Sequence, residues 1–487
     1  MSSPSAPTLA VIGAGPKAIA VAAKAAELRA MGAPAPDVVV IERSGVAANW
    51  QAVGGWTDGN HRLGTGPEKD VGFPYRSSLV SRRNAELDER MTRHSWQAYL
   101  IATGGFAEWV DRGRPAPTHK RWSQYLRWVA DDIGMNVVSG EVERISVDAD
   151  AGGAGNSADA GGAGNSADAG GAGNSADAGG AGNSADAGGA GNSADAGGAG
   201  NSSDARRWVL HTAEDTVTAD GLMVTGPGQA ERSVLPGNPR VMSIAQFWHQ
   251  AGKHELINAE RVAVIGGGET AASMLNELFR HRVSTITVIS PTVTLFTRGE
   301  GFFENTLFSD PTGWTGLTLA ERRDALARTD RGVFSARVQE ALLADDRIRH
   351  LRGRVAHAVA RDERIRLTLS TNTGGEAVET VHGFDLVIDG SGADALWFAP
   401  LFSQDALDLL ELGLGGPLTG DALQEHIGHD LALTDVYPKL FLPGLAGLTQ
   451  GPGFPNLSCL GLLSDRVLGA NLDHPSMRRL DEFQSVR

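Results

Sequence analysis

Two short stretches, about 250 residues apart, restrict what this chain can fold into. "AVIGAGPKAIA" (Ala10–Ala20) and "AVIGGGETAAS" (Ala263–Ser273) each close an apolar run with a glycine turn and open an alanine-rich segment. The spacings are Gly13-x-Gly15-x-x-Ala18 and Gly266-x-Gly268-x-x-Ala271. In such a turn the first glycine allows the tight bend and the second lets the backbone approach a pyrophosphate. The third small residue lets the helix pack on its strand, and the helix N-terminus receives the anion. A lone triad is weak, but strand, turn, helix and second strand in order are specific. The expected fold class is α/β, with two Rossmann-like dinucleotide-binding domains and a small helical substrate-binding segment.

The second strands separate the two sites. "DVVVIER" ends in Glu42, a carboxylate placed to bond a ribose diol. "STITVIS" ends in Ser290, where an acid would repel a 2′-phosphate and a serine does not. Arg280, Arg282 and Arg298 stand near enough in sequence to serve as phosphate partners or as ordinary surface charges. We therefore expect FAD on Gly13, Gly15, Ala18, Glu42 and Trp50. We expect NADPH on Gly266, Gly268, Thr270, Ala271, Ser290 and Arg298; these residues do not exclude NADH. "LMVTGPG" (Leu222–Gly228) and "LVIDGSG" (Leu386–Gly392) read as junctions where the chain passes between domains. The expected division is residues 1–150 with 205–240 and 381–487 for FAD. Residues 241–380 are assigned to NADPH, with the helical substrate segment at about 300–345.

Between the turns, residues 151–204 are six copies of a nine-residue unit, "AGGAGNSAD", the last reading "AGGAGNSSD". The unit has Ser and Asp where a calcium-binding β-roll needs Asp and a large aliphatic, and nothing larger than alanine to build a core. It reads as a solvated insert. Its flanks, "EVERISVD" and "RRWVLHT", alternate like the two strands of a hairpin. Its six aspartates are part of the net charge of −15, leaving the remainder nearer −9, which speaks against nucleic acid as a partner. The single cysteine, Cys459, excludes a disulfide framework within the chain and suits a reducing cytoplasm. No apolar run approaches the roughly 20 residues of a membrane span.

Two dinucleotide sites imply hydride transfer from nicotinamide to flavin. Three segments bear on the use made of the reduced flavin: "LGTGPEKDVGFPY" with "RPAPTHKRWSQYLRWVA"; "FFENTLFSDPTGWTGLTLAERRDALARTDRGVFS"; and "GPGFPNLSCLGLLSDRVLGANL". In this order around two glycine turns, the chain resembles the flavin-dependent N-hydroxylating monooxygenases of siderophore synthesis. Its wider text is similar to the branch that acts on lysine for mycobactin. The resemblance implies N6-hydroxylation of the lysine side chain through a flavin hydroperoxide, with L-lysine or a lysine-containing siderophore precursor and O2 as partners. It also implies a cytoplasmic homo-oligomer. It implies substrate contacts at Lys69 in "PEKD", Asn305 in "FENTLF" and Ser458 in "NLSCL", and no catalytic side chain, the flavin carrying the chemistry. The family's Gln five residues before the lysine is replaced here by Gly64, its second Asn by Val333, and its His-Ser-Ser stretch by "VMSIAQFW". The alternatives are an ornithine or other amine N-hydroxylase and a flavoprotein reductase of a protein partner.

Overall fold

The computed structural model describes residues 6–52, 54–148, 206–226, 228, 233–373 and 375–472. The nine-residue repeat lies outside the described residues. Its flanks do not: Arg144–Asp148 pairs antiparallel with Arg207–His211, Ile145 opposite Leu210, and Thr216–Ala219 adds a third strand. The expected hairpin is present.

Two five-stranded parallel sheets organise the chain. The first runs Lys439–Phe441, Gly221–Val224, Thr8–Ile12, Asp37–Glu42, Val137–Ser139. The second runs Ile348–Arg352, Arg282–Ser290, Asn258–Ile265, Leu386–Asp389, Val241–Ser243. In each, the strand that feeds the glycine turn is central. The sequence requires this, because "LAV" and "VAV" are apolar at consecutive positions and only a strand covered on both faces buries them all. Leu9, Ala10, Val11, Val262, Ala263 and Val264 are fully buried. The turns open into helices Pro16–Ala30 and Glu269–Leu278. Pro16 suits the first helical position, where no N–H is needed and its φ is already helical.

Alternate residues of the second sheet join different cores. Val262, Val264, Ile286, Val288 and Ile388 pack with the helix Glu269–Leu278. Ala263, Ile265, Ile289 and Val387 pack with Ile365, Leu367, Leu369 and Phe384. These last four belong to an antiparallel meander, Arg354–Arg361, Arg364–Thr373 and Glu376–Phe384, which the sequence reading does not anticipate.

One expectation needs correction. The boundary at 380/381 is too early, because Leu386–Asp389 pairs with Asn258–Ile265 and Val241–Ser243 in the second sheet. A short buried run such as "LVID" fits either parallel sheet, and only its hydrogen-bonded neighbours distinguish them. The chain returns to the first core after this strand, with Phe398 and Phe402 buried there. The segment expected to be helical at about 300–345 holds the helices Phe302–Ser309, Leu319–Thr329 and Ala336–Leu343, with a break between the last two in the stretch Thr318–Ala344. Between them Gly332 takes φ +73°, and Val333–Phe334 pairs with Phe296–Thr297. Phe334 is fully buried, so tertiary burial overrides local helix propensity here.

Buried charges join the two units. His61 Nε2 lies 2.8 Å from Glu277 Oε2, and Arg280 donates to both Asp58 and Glu277. Asp58, His61 and Glu277 bring ligand atoms within 4.8 Å of one another, and the Arg280 guanidinium pairs with both carboxylates. No helix among the described residues is long and apolar enough to cross a membrane.

Candidate functional site

A cavity of about 570 Å³ opens at the first glycine turn, at the C-terminal edge of the first sheet. Gly13, Gly15, Glu42 and Trp50 line it. Ala18 does not; it is fully buried in the helix, where its small size lets the helix approach the sheet. Gly13 has φ +94°, and a methyl group there would stand 2.7 Å from Thr225 Oγ1. That hydroxyl donates to Ile12 O at 2.8 Å and so braces the turn from the neighbouring strand. A methyl group on Gly15 meets nothing within 4 Å. The turn is thus tight behind and open in front, as a pyrophosphate cradle requires. Glu42 accepts from Ala14 N at 2.9 Å and Ser44 N at 2.7 Å, which fixes its carboxylate at the cavity edge. Trp50 stands edge-on to His119 and Trp122, with centroids 4.9 and 6.5 Å away.

Lys17 and the loop Pro455–Leu457 also line the cavity. Lys17 Nζ donates to Pro455 O at 2.7 Å. Three residues on, Ser458 Oγ lies 3.4 Å from Lys69 Nζ. One loop therefore separates the cavity from Lys69. Asp70 anchors the turn that carries Lys69, accepting from Trp96 N and Tyr75 OH at 2.9 and 2.8 Å. Burial pushes the Lys69 amine below the ordinary lysine range, and the nearby Arg298 guanidinium pushes it further, against the opposing influence of Cys459.

Arg298 is close enough to Lys69 for its charge to act on the amine. Its guanidinium pairs with Glu300 at 2.7 Å, and its backbone N donates to Phe334 O at 2.8 Å. Asn305 lies exposed on the helix Phe302–Ser309 and donates to Glu300 O at 2.7 Å. Lys69 and Ser458 are thus in direct contact; Asn305 bonds Glu300, the residue that pairs with Arg298.

The second glycine turn is more enclosed. Gly266 has φ +133°, and a methyl group there would stand 2.4 Å from Gly390 O. Methyl groups on Gly267 and Gly268 would lie 3.1 Å from Ser290 Cβ and 3.6 Å from Gly332 N. Glu269 holds the covering segment by accepting from Ser335 N and Oγ at 2.9 and 3.0 Å. Thr270 is in the first helical turn, and Ala271 is fully buried against the glycines. Ser290 is buried, its hydroxyl 2.9 Å from both Thr292 Oγ1 and His350 Nε2.

Three residues of these sites escape the sequence reading. Thr225 stands in a stretch that reads only as a junction. His350 comes from a strand paired with "STITVIS" but about 60 residues away. Lys17 is visible only as an anomaly, a cation in the first turn of a helix, where the dipole disfavours it.

No family model matches the chain. It is 71% identical over 483 residues, 99% of each chain, to an L-lysine N6-monooxygenase, MbtG, of Mycobacterium sp. strain MCS. It is 69% identical over 485 residues, 99% of this chain and all of the other, to L-lysine N6-monooxygenase MbtG of Mycobacterium tuberculosis strain CDC 1551. A solved structure of lysine monooxygenase NbtG from Nocardia farcinica is similar with a TM-score of 0.75 and 46% identity, covering 95% of this chain and 100% of that one. The ornithine N-hydroxylase of Kutzneria sp. 744 shares the fold, with a TM-score of 0.61, 15% identity and coverage of 96% and 99%. With such identity along nearly its whole length, the chain belongs to the L-lysine N6-monooxygenase family.

Proposed function

We propose that this chain hydroxylates the side-chain nitrogen of L-lysine, using FAD, NADPH and O2, to supply the hydroxamate of a mycobactin-type siderophore in the cytoplasm. The observation that carries this reading is the cavity that starts at Gly13-x-Gly15 and ends one loop from the Lys69–Ser458 pair. Gly13, Gly15 and the helix N-terminus receive the FAD pyrophosphate, Glu42 the adenosine ribose, and Trp50 packs at the entrance; Ala18 allows the close helix approach. Gly266, Gly268 and Thr270 receive the NADPH pyrophosphate, and Ala271 packs the helix behind them. Ser290 and Arg298 serve the 2′-phosphate. Bound FAD and NADPH supply the electrons and the activated oxygen.

The side chains solve a different problem. The lysine nitrogen is about 99.9% protonated at neutral pH and has no free lone pair in that form. The Lys69 and Arg298 cations and the partial burial around Lys69 both disfavour a further ammonium. Lys69, Asn305 and Ser458 orient the substrate, with Lys69 on its α-carboxylate.

The test is purified protein with FAD, NADPH, oxygen and a panel of amines. Hydroxylamine is expected from L-lysine, at a rate that rises from pH 7 to 9. Product from ornithine alone, or none from any amine, overturns the reading. Lys69→Met is expected to raise KM for lysine roughly 10- to 150-fold, the worth of a charge-assisted hydrogen bond, with FAD content unchanged. Gly64 is exposed, and a side chain started there meets nothing within 4 Å. The wild type is expected to release peroxide well above a few per cent of the NADPH consumed at saturating lysine. Gly64→Gln, which restores the family's residue, is expected to at least halve that leak.

A further inference from the structure

We propose that Lys17 sets the redox bias of the bound flavin, its ammonium offsetting the negative charge that the flavin ring gains on reduction. This rests on FAD occupying the cavity at the first glycine turn.

The polarity of the cavity places Lys17. The glycine turn takes the pyrophosphate at the middle of FAD, and Glu42 takes the adenosine ribose on one side. The flavin half must extend the other way, toward Lys17, Asn456 and Leu457. Lys17 leans in that direction, because Nζ donates to Pro455 O at 2.7 Å rather than to any group of the turn. No carboxylate among the described residues lies within ion-pair distance of it, whereas Lys24, two turns along the same helix, is paired with Asp465 at 2.5 Å. A cation in the first turn of a helix opposes the dipole, and this first turn has no acidic residue to compensate. The chain thus holds an uncompensated positive charge against the cavity wall.

Reduction of the flavin supplies the missing anion. A hydride from NADPH carries two electrons and one proton to the neutral oxidised ring and leaves NADP+. The ring then has one net negative charge, and no proton is drawn from the protein. Burial lowers the Lys17 amine to about 8, so most of it is charged at neutral pH, and a neighbouring anion strengthens that charge. The other groups facing it carry no negative charge. Burial pushes the Cys459 thiol up to about 12, leaving it neutral, and Lys69 and Arg466 near that thiol are cations. Glu42, the carboxylate that shares the cavity, is not within ion-pair distance of Lys17 and is held by the Ala14 and Ser44 N–H groups.

The experiment compares FAD-loaded wild type, Lys17→Met, Lys17→Gln and Lys17→Arg. It measures the midpoint potential by dye equilibration without oxygen, and the affinity for oxidised FAD by flavin fluorescence. Lys17→Met is expected to lower the preference for reduced over oxidised FAD about tenfold, moving the potential about 30 mV negative for a two-electron couple. Lys17→Gln removes the charge with less disturbance and should give the same shift if the Met variant fails to fold. Lys17→Arg should retain the wild-type potential. Because the couple takes up one proton, the potential of every variant falls with pH; from pH 7 to 10 the gap between wild type and Lys17→Met should close, and the gap between Lys17→Arg and Lys17→Met should not. An unchanged potential in Lys17→Gln overturns the proposal. So does equal weakening of oxidised and reduced FAD, which would make Lys17 a pyrophosphate ligand. Neither lysine nor oxygen enters this measurement, so an unchanged potential leaves the hydroxylation reading intact. A wild-type protein that takes up no FAD removes the basis of both.

Discussion

Gly13→Ala is expected to purify without flavin and to bind added FAD at least a hundredfold more weakly, a loss of about 2.7 kcal/mol. Two effects combine. The residue sits at φ +94°, a conformation that costs an L-side chain about 1–2 kcal/mol. The new methyl group would lie 2.7 Å from Thr225 Oγ1, which cannot withdraw without giving up its bond to Ile12 O. The turn must therefore shift, and the backbone that faces the pyrophosphate shifts with it. Gly15→Ala separates binding from folding. Its backbone is extended, with φ −85°, and its methyl group meets no protein atom within 4 Å. That variant should keep the wild-type melting temperature without FAD and still lose FAD, because the methyl group takes space at the cradle. Flavin-to-protein absorbance ratios and thermal melts of both variants check this. Retention of FAD by Gly13→Ala would remove the first turn as its binding site.

Glu277→Ala is expected to destabilise the protein by about 3 kcal/mol, or roughly 3 °C in melting temperature for a chain of 487 residues. The carboxylate is buried and takes His61 at 2.8 Å and Arg280 at 3.2 Å, with His281 at the longer ion-pair distance of 3.6 Å. Removing it leaves these donors facing one another across the junction of the two sheets. Burial by itself would push the carboxyl up, but the His281 and His61 imidazoles and the Arg280 charge outweigh it and hold the group at about 2. The folded value is thus below the unfolded one, near 4.3. The stabilisation is complete above that value and is lost as pH falls from about 4.3 toward 2. The wild type should lose stability over this acid range, and Glu277→Gln should lose less there. Parallel melts of wild type and the Gln variant at pH 7 and pH 3.5 test the sign. An unchanged melting temperature for Glu277→Ala at pH 7 would show that the cluster contributes nothing to stability.

Much of the site is legible in the sequence because its parts are local. A glycine turn is written within about 20 residues, and the acid or serine that completes it falls at the end of the next strand. The hairpin around the repeat can be read from alternation on its two flanks, whatever length of chain lies between them. Lys69 and Ser458 are 389 positions apart, and no periodicity links them. Resemblance to a family pairs them, and the fold places them in contact. By its position in the sequence Arg298 is a partner of the second turn alone, and the structure ties it also to the surroundings of Lys69.

The sequence by itself determined the two strand–turn–helix units, their order, and the different chemistry at the ends of their second strands. Those features arise from backbone sterics and hydrogen bonds between near neighbours. Only the tertiary structure decided which sheet receives Leu386–Asp389, where the Thr318–Ala344 stretch breaks, and that His61 meets Glu277 across the junction. It also decided that Lys17 faces the cavity. In each of these cases an apolar run or a charge could be satisfied in more than one place. The choice was made by burial and partners supplied from distant parts of the chain.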